Sequence, residues 1–173
     1  ANRARINSGS SLYLRDIIGK IPSVSFTPED QRLVSGDPGA RRTMMNQAAA
    51  LLEPGYMQTL QQFTRIAKQR ATLLKQLNAN VNNGQPMDAV LSGLEIWTGQ
   101  FIEAGVALTR MRAHVISLLA EPFAAIYADL AGAGEQVTLT YAPSFDEVLM
   151  FDDPHPQISE HFQRCLLYTS PSP

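Results

Sequence analysis

The sequence predicts a mainly α protein with a few short β-strands, organised around an antiparallel helical hairpin. Three observations lead there. Apolar residues keep a helical period from Met87 to Leu130 almost without interruption. A second helical period runs from Pro54 to about Leu77, and the polar Asn/Gly stretch Asn78–Pro86 lies between the two. Strand-like patterns are confined to short pieces such as Gln136–Tyr141. Two adjacent helices joined by a short polar turn pack side by side and antiparallel.

Each element has a local cause. Val24-Ser25-Phe26 reads as the end of a short strand that Pro28 stops. Asp37-Pro38 is a helix start, with Asp as N-cap and Pro in the first helical position. That helix runs to about Leu52, where Glu53-Pro54-Gly55 breaks it and Pro54 opens the next. The long helix from Met87 extends about 65 Å at 1.5 Å per residue, with Pro122 as a candidate kink and Gly132-Ala133-Gly134 as its stop. Gln136–Tyr141 alternates and is rich in β-branched residues, so it is predicted as a strand. Asp152–Gln157 holds two prolines and is predicted as a loop. The expected divisions are 1–36, 37–131 and 132–164.

Composition bounds the function. The 173 residues are 45% hydrophobic with a net charge of -2, enough for a core and no global drive toward nucleic acid. Any nucleic-acid contact must come from a local patch. The single cysteine, Cys165, makes no internal disulfide or Cys-rich zinc site. No apolar run reaches the ~18 residues of a membrane span and no signal peptide is visible. Residues 165–173 read like a translated sequencing-library adapter and are set aside as a non-native tail.

The helix faces carry the sharpest local inference. At about 100° per residue, Tyr56, Leu60, Phe63, Ile66, Leu73 and Leu77 fall in one arc of the second helix, while Arg65, Lys68 and Lys75 fall on the far side. Arg70 lands inside the apolar arc, and Arg112 sits at the centre of the apolar face of the long helix. A desolvated arginine needs partners. Both are read as structural arginines, paired or snorkelling at the core edge, with bracing against another lobe as the alternative. The far-side stripe is either a solvated face or a phosphate-contacting one. Trp97 and Tyr127 are expected in the core, and His114 on the helix surface. Asp152, Asp153, His155, Glu160 and His161 match no metal-ligand spacing, so no metal site is assigned. There is no G-x-x-x-x-G-K-[ST] and no H-E-x-x-H anywhere.

The block Phe26-Thr27-Pro28-Glu29-Asp30, followed by Leu33-Val34, Gly36, Pro38 and Arg41-Arg42, resembles the middle of the RecF family. Lys68-Gln69-Arg70 resembles that family's K-Q-R-N motif, with Ala71 in place of Asn. Arg3-Ala4-Arg5-Ile6-Asn7 resembles the R-I-N-G strand ahead of the block. Family members usually follow R-R with R-F-L-D, whereas Thr43-Met44-Met45-Asn46 stands here.

The resemblance implies the helical lobe of an SMC/ABC-type ATPase head, an incomplete domain taken from a bacterial, cytoplasmic protein. It implies ATP and Mg²⁺ as cofactors of the full-length protein, an ATP-dependent homodimer, and DNA, RecR and RecO as partners in recombinational gap repair and the SOS response. It places Glu29 and Asp30 near the nucleotide site, and makes Arg65, Lys68, Lys75, Arg41 and Arg42 candidate DNA contacts. Without the P-loop, signature and Walker B motifs, this stretch alone is expected to be inactive as an ATPase. The competing reading is a stand-alone helical interaction module without nucleotide chemistry.

Overall fold

The computed structural model describes residues 3–13, 17, 25, 27–84, 86–132 and 134–168, the side chains of 165–168 aside. It is mostly helical, with one two-stranded antiparallel ribbon among the described residues. The chain divides into two compact units, residues 1–57 and 58–173.

The first unit opens with β1 (Arg3–Ala4) and β2 (Leu12–Tyr13), paired so that Arg3 faces Tyr13 and Ala4 faces Leu12. The Arg3 guanidinium lies 4.6 Å from the Tyr13 ring centroid and donates to its hydroxyl at 3.0 Å. Val24 and Phe26, expected at the end of a strand, lie outside the described residues. Pro28–Gln31 forms a 3₁₀ turn that runs into α1 (Arg32–Ser35). Asp37 then caps α2 (Pro38–Leu52) by accepting from the Gly39 amide. Ala49 and Tyr56 are fully buried, and the Tyr56 hydroxyl donates to Asn46 Oδ1 at 2.5 Å.

The second unit is built on α3 (Tyr56–Asn83) and α4 (Asp88–Ala131). They are antiparallel. Phe63 meets Phe101 at 4.9 Å between ring centroids, Arg70 bonds Thr98, and a Cβ on Gly93 would stand 3.6 Å from Leu73. α3 ends six residues beyond Leu77, so most of the expected Asn/Gly loop is helix. The turn is closed by Gly84, at φ 62°, and by Asn80 Nδ2 donating to the Pro86 carbonyl at 3.1 Å. α4 ends at Gly132, whose φ of 93° is open to glycine.

Gln136–Tyr141 is extended but forms no strand. Its burial alternates as a strand's would, with Val137, Leu139 and Tyr141 half-buried. No neighbour among the described residues supplies a hydrogen-bond ladder, and a strand exists only in a pair. Asp152–Gln157 also departs from expectation. Following the short α5 (Glu147–Met150), α6 (His155–Tyr168) begins inside the expected loop. Pro154 is fully buried ahead of it, and Pro156 occupies its first turn, where no amide partner is needed. The helix continues through Arg164 to Tyr168.

The core of this unit joins Ile102 and Val106 of α4 to Val148 and Ile158, with Phe145 and Phe162 packed against it. Leu94, Leu108, Val115 and Ile116 extend the buried face of α4. Beyond Ile116 that face becomes exposed. Ile126 is 60% and Leu130 83% accessible, and Tyr127, expected in the core, is exposed as well. Periodicity sets which face is apolar; it does not supply a neighbour to cover it. α4 is long and apolar enough by length and composition to cross a membrane, which corrects the expectation that no segment is. Charged residues interrupt it throughout, and its longest stretch without Asp, Glu, Lys or Arg is 113–120. Its central residues form a core against α6, so we read it as a core helix.

Candidate nucleic-acid interface

α3 contains no Asp or Glu between Tyr56 and Asn83, while it carries Arg65, Lys68, Arg70 and Lys75. The helix turns these charges onto two faces. Ile66 is buried, and Phe63, Leu73, Leu74 and Leu77 are half-buried against the rest of the unit. Arg65, Lys68 and Lys75 are exposed on the opposite face, and the exposed Gln61 and Thr72 lie along the same line. From Arg65 to Lys75 the line runs about 15 Å at 1.5 Å per residue. Three cations with no carboxylate on their helix make a local positive field on a chain whose net charge is -2.

This line has donors and no aromatic ring, because Tyr56, Phe63 and their apolar neighbours face inward. Lysine and arginine without stacking platforms suit the phosphate backbone of a nucleic acid rather than its bases. The Thr72 hydroxyl is committed to its own helix, donating to the Lys68 carbonyl at 3.0 Å.

Arg70 is half-buried within the apolar arc, as its position predicts. Its Nε donates to Thr98 Oγ1 at 2.9 Å, and its guanidinium lies 4.6 Å from the Phe162 ring and 5.5 Å from Phe101. A hydroxyl and two ring faces thus share in holding this half-buried charge. Arg70 thereby ties α3, α4 and α6 together. Arg112 is half-buried and lines a cleft of 170 Å³ with Phe63, Leu108, Tyr141 and Phe162.

Arg41 and Arg42 lie in the other unit, on α2. Arg41 Nη1 donates to the carbonyls of Leu33 and Gly36 at 3.2 and 3.3 Å, bracing the turn between α1 and α2. Arg42 is exposed. Asp30 accepts from the Thr27 amide at 2.6 Å and closes the 3₁₀ turn, which commits its carboxylate to the backbone. Glu29 is exposed. The Asp30 carboxylate is thus bonded to the backbone, that of Glu29 is open to solvent, and no phosphate-cradling loop stands in this stretch of sequence.

The acidic and histidine residues near the C-terminus serve the fold. His161 Nε2 and Glu147 Oε1 are 2.9 Å apart and join α5 to α6. The Glu147 carboxyl is held below its ordinary value first by this hydrogen bond, then by its own backbone amide, with burial opposing. Asp153 accepts from the His155 amide at 3.1 Å, and Glu160 pairs with Arg164 one turn along α6. Among the described residues, no three His, Cys, Asp or Glu converge on a point. His114 is exposed, as expected.

Sequence reasoning missed the Phe162 face beneath Arg70 and the hydrogen bonds that Arg110 makes to the Phe151 and Asp152 carbonyls, at 2.9 and 2.7 Å. Both depend on α6 and its approach, which the two prolines concealed. The freedom of α3 from acidic residues was readable in the chain and is the clearest signal of the stripe.

No family model and no solved structure matches the chain. It is similar to curated relatives named DNA replication and repair protein RecF. With that of Bifidobacterium longum subsp. infantis it is 98% identical over 164 residues, 95% of this chain and 40% of the relative. With that of Bifidobacterium adolescentis it is 64% identical over 166 residues, 95% of this chain and 41% of the relative. With that of Streptomyces avermitilis it is 37% identical over 145 residues, 83% of this chain and 38% of the relative. The chain thus spans about two fifths of the length of the curated relatives it matches. Over the length it covers, the chain belongs to the RecF family of DNA replication and repair proteins.

Proposed function

We propose that this chain is the helical lobe of a RecF protein that, in full length, binds DNA and ATP and acts in recombinational gap repair and the SOS response. The observation that carries the reading is the 98% identity with the Bifidobacterium longum relative across 95% of the chain. The exposed stripe Arg65, Lys68 and Lys75 supports a phosphate contact made by this lobe.

The division of labour follows from the chemistry of the residues. This stretch carries no G-x-x-x-x-G-K-[ST], so the loop that cradles ATP and Mg²⁺ belongs to another part of the full-length protein, with Glu29 and Asp30 near that site. ATP dimerises two copies, and RecR and RecO join the complex in the bacterial cytoplasm. The lobe supplies a rigid helical hairpin and the backbone contacts that hold DNA to it.

The test uses the full-length protein, with fluorescence anisotropy of a labelled gapped duplex in the presence and absence of ATP-Mg²⁺. The reading expects ATP-dependent binding that weakens steeply with salt. No DNA binding in either state would overturn it.

A further inference from the structure

Gln61, Lys68, Lys75 and Asn82 stand seven residues apart along α3, and all four are exposed. Seven residues advance a helix by about 10.5 Å and return the side chain to within about 20° of the same direction. The two lysines therefore belong to a straight line of four donors about 31 Å long, with an amide at each end. The charged part, from Arg65 to Lys75, covers about half of that length. No carboxylate stands on the helix to draw these donors away.

Asn82 is the informative member. It lies inside α3, which runs to Asn83, although asparagine is among the weaker helix formers. Asn80 has a structural task, since its Nδ2 closes the turn on the Pro86 carbonyl. The Asn82 side chain makes no such bond among the described residues. A residue that costs its helix some stability and returns no bond to the fold marks a contact outside it. An amide NH₂ donates to a phosphate oxygen as an ammonium does, without carrying charge. A line of about 31 Å is also close to one turn of a B-form duplex, about 34 Å.

We propose that Gln61 and Asn82 are two further contacts to the DNA backbone, so that α3 meets a duplex along its whole exposed edge up to the hairpin turn. The inference rests on the proposed contact of Arg65, Lys68 and Lys75 with DNA phosphates and extends it to two uncharged residues. The cations release counterions and set the salt dependence, whereas the amides add affinity that salt leaves alone.

The test uses the full-length protein with ATP-Mg²⁺ and the labelled gapped duplex. Kd is measured across a series of salt concentrations, with the urea midpoint in parallel. The variants are Gln61→Ala, Asn82→Ala and Asn82→Lys. Gln62→Ala, exposed about 100° round the helix from Gln61, is the control. Each amide-to-alanine change is expected to raise Kd about fivefold with the log–log slope unchanged. The urea midpoint of Asn82→Ala should be unchanged or higher, because alanine is the better helix former. Asn82→Lys should bind more tightly, with a slope steeper by about 1. Binding by Gln61→Ala or Asn82→Ala equal to that of the unsubstituted protein overturns the proposal, as does equal weakening by Gln62→Ala or an unaltered slope in Asn82→Lys. A lowered urea midpoint in Asn82→Ala overturns it too, since the side chain then serves the fold. Absence of DNA binding by the unsubstituted protein overturns the proposed function and this inference with it, whereas binding that no amide variant changes overturns this inference alone.

Discussion

Arg70 Nε donates to Thr98 Oγ1 at 2.9 Å, so the middle of α3 is bonded to α4 through a cation set among aromatic rings. One hydrogen bond contributes about 1 kcal/mol and a partly buried cation–π contact about as much. Arg70→Ala is therefore expected to destabilise the lobe by about 2 kcal/mol, read as a shift in urea midpoint at constant slope. Arg65→Ala, on the exposed face, is expected to change it by less than about 0.5 kcal/mol. Arg70→Lys keeps the charge but loses the planar stack, so it should fall between the two. Equal small shifts for Arg70→Ala and Arg65→Ala would contradict this account.

Tyr56 anchors the first unit from a fully buried position, with its hydroxyl on Asn46 Oδ1. Tyr56→Phe leaves the ring in place and removes one donor from a half-buried acceptor. The expected loss is about 1–2 kcal/mol, again by urea midpoint. The Tyr56–Asn46 pair is a neutral hydrogen bond, so its contribution is expected to be insensitive to salt.

The pH dependence should report the Glu147–His161 pair. A carboxyl held below its ordinary value stabilises the fold above that value, and the contribution is lost as pH falls through the lowered one. Acidification from about pH 5 to pH 3 should thus cost the wild type more stability than Glu147→Gln. His161→Ala removes the largest cause of the shift and should bring the carboxyl back toward its ordinary titration, visible by NMR. Parallel stability curves for wild type and Glu147→Gln would contradict the pairing.

Glycines inside α4 are not equivalent. A Cβ at Gly99 would meet nothing within 4 Å, so Gly99→Ala is expected to stabilise the helix by about 1 kcal/mol. A Cβ at Gly105 would stand 3.4 Å from the Phe63 ring, so a larger side chain there, as in Gly105→Leu, must displace that ring and should destabilise. Thermal midpoints of the two variants moving in the same direction would argue against the observed pairing of α3 with α4.

How far the chain announced this structure differs from place to place. Asp37-Pro38 marked the start of α2 because cap chemistry is local. The hairpin and its apolar faces followed from period alone. The end of α3 did not, because each asparagine beyond Leu77 costs only a few tenths of a kcal/mol in a helix already nucleated. Gln136–Tyr141 has a strand's alternation and lacks a strand's partner, and pairing is not written in a single segment. The prolines at 154 and 156 were read as breakers, whereas Pro156 stands in a helix's first turn. The basic stripe was visible as a face, and the proposal of DNA as its ligand rests on the resemblance to RecF. The exposure of Leu149, Met150 and Phe151 was not visible, because exposure of an apolar residue is a tertiary property.

The central claim is that the acid-free face of α3 contacts DNA phosphates, and salt dependence tests it most directly. The affinity of the full-length protein for a gapped duplex is measured across a series of salt concentrations, for the unsubstituted protein and for Lys68→Ala with Lys75→Ala. Each lost phosphate contact removes about one counterion from the release. The account expects weaker binding and a log–log slope shallower by about 2 in the double variant, with its urea midpoint unchanged. An unaltered slope and affinity would contradict it and leave the stripe as an ordinary solvated face.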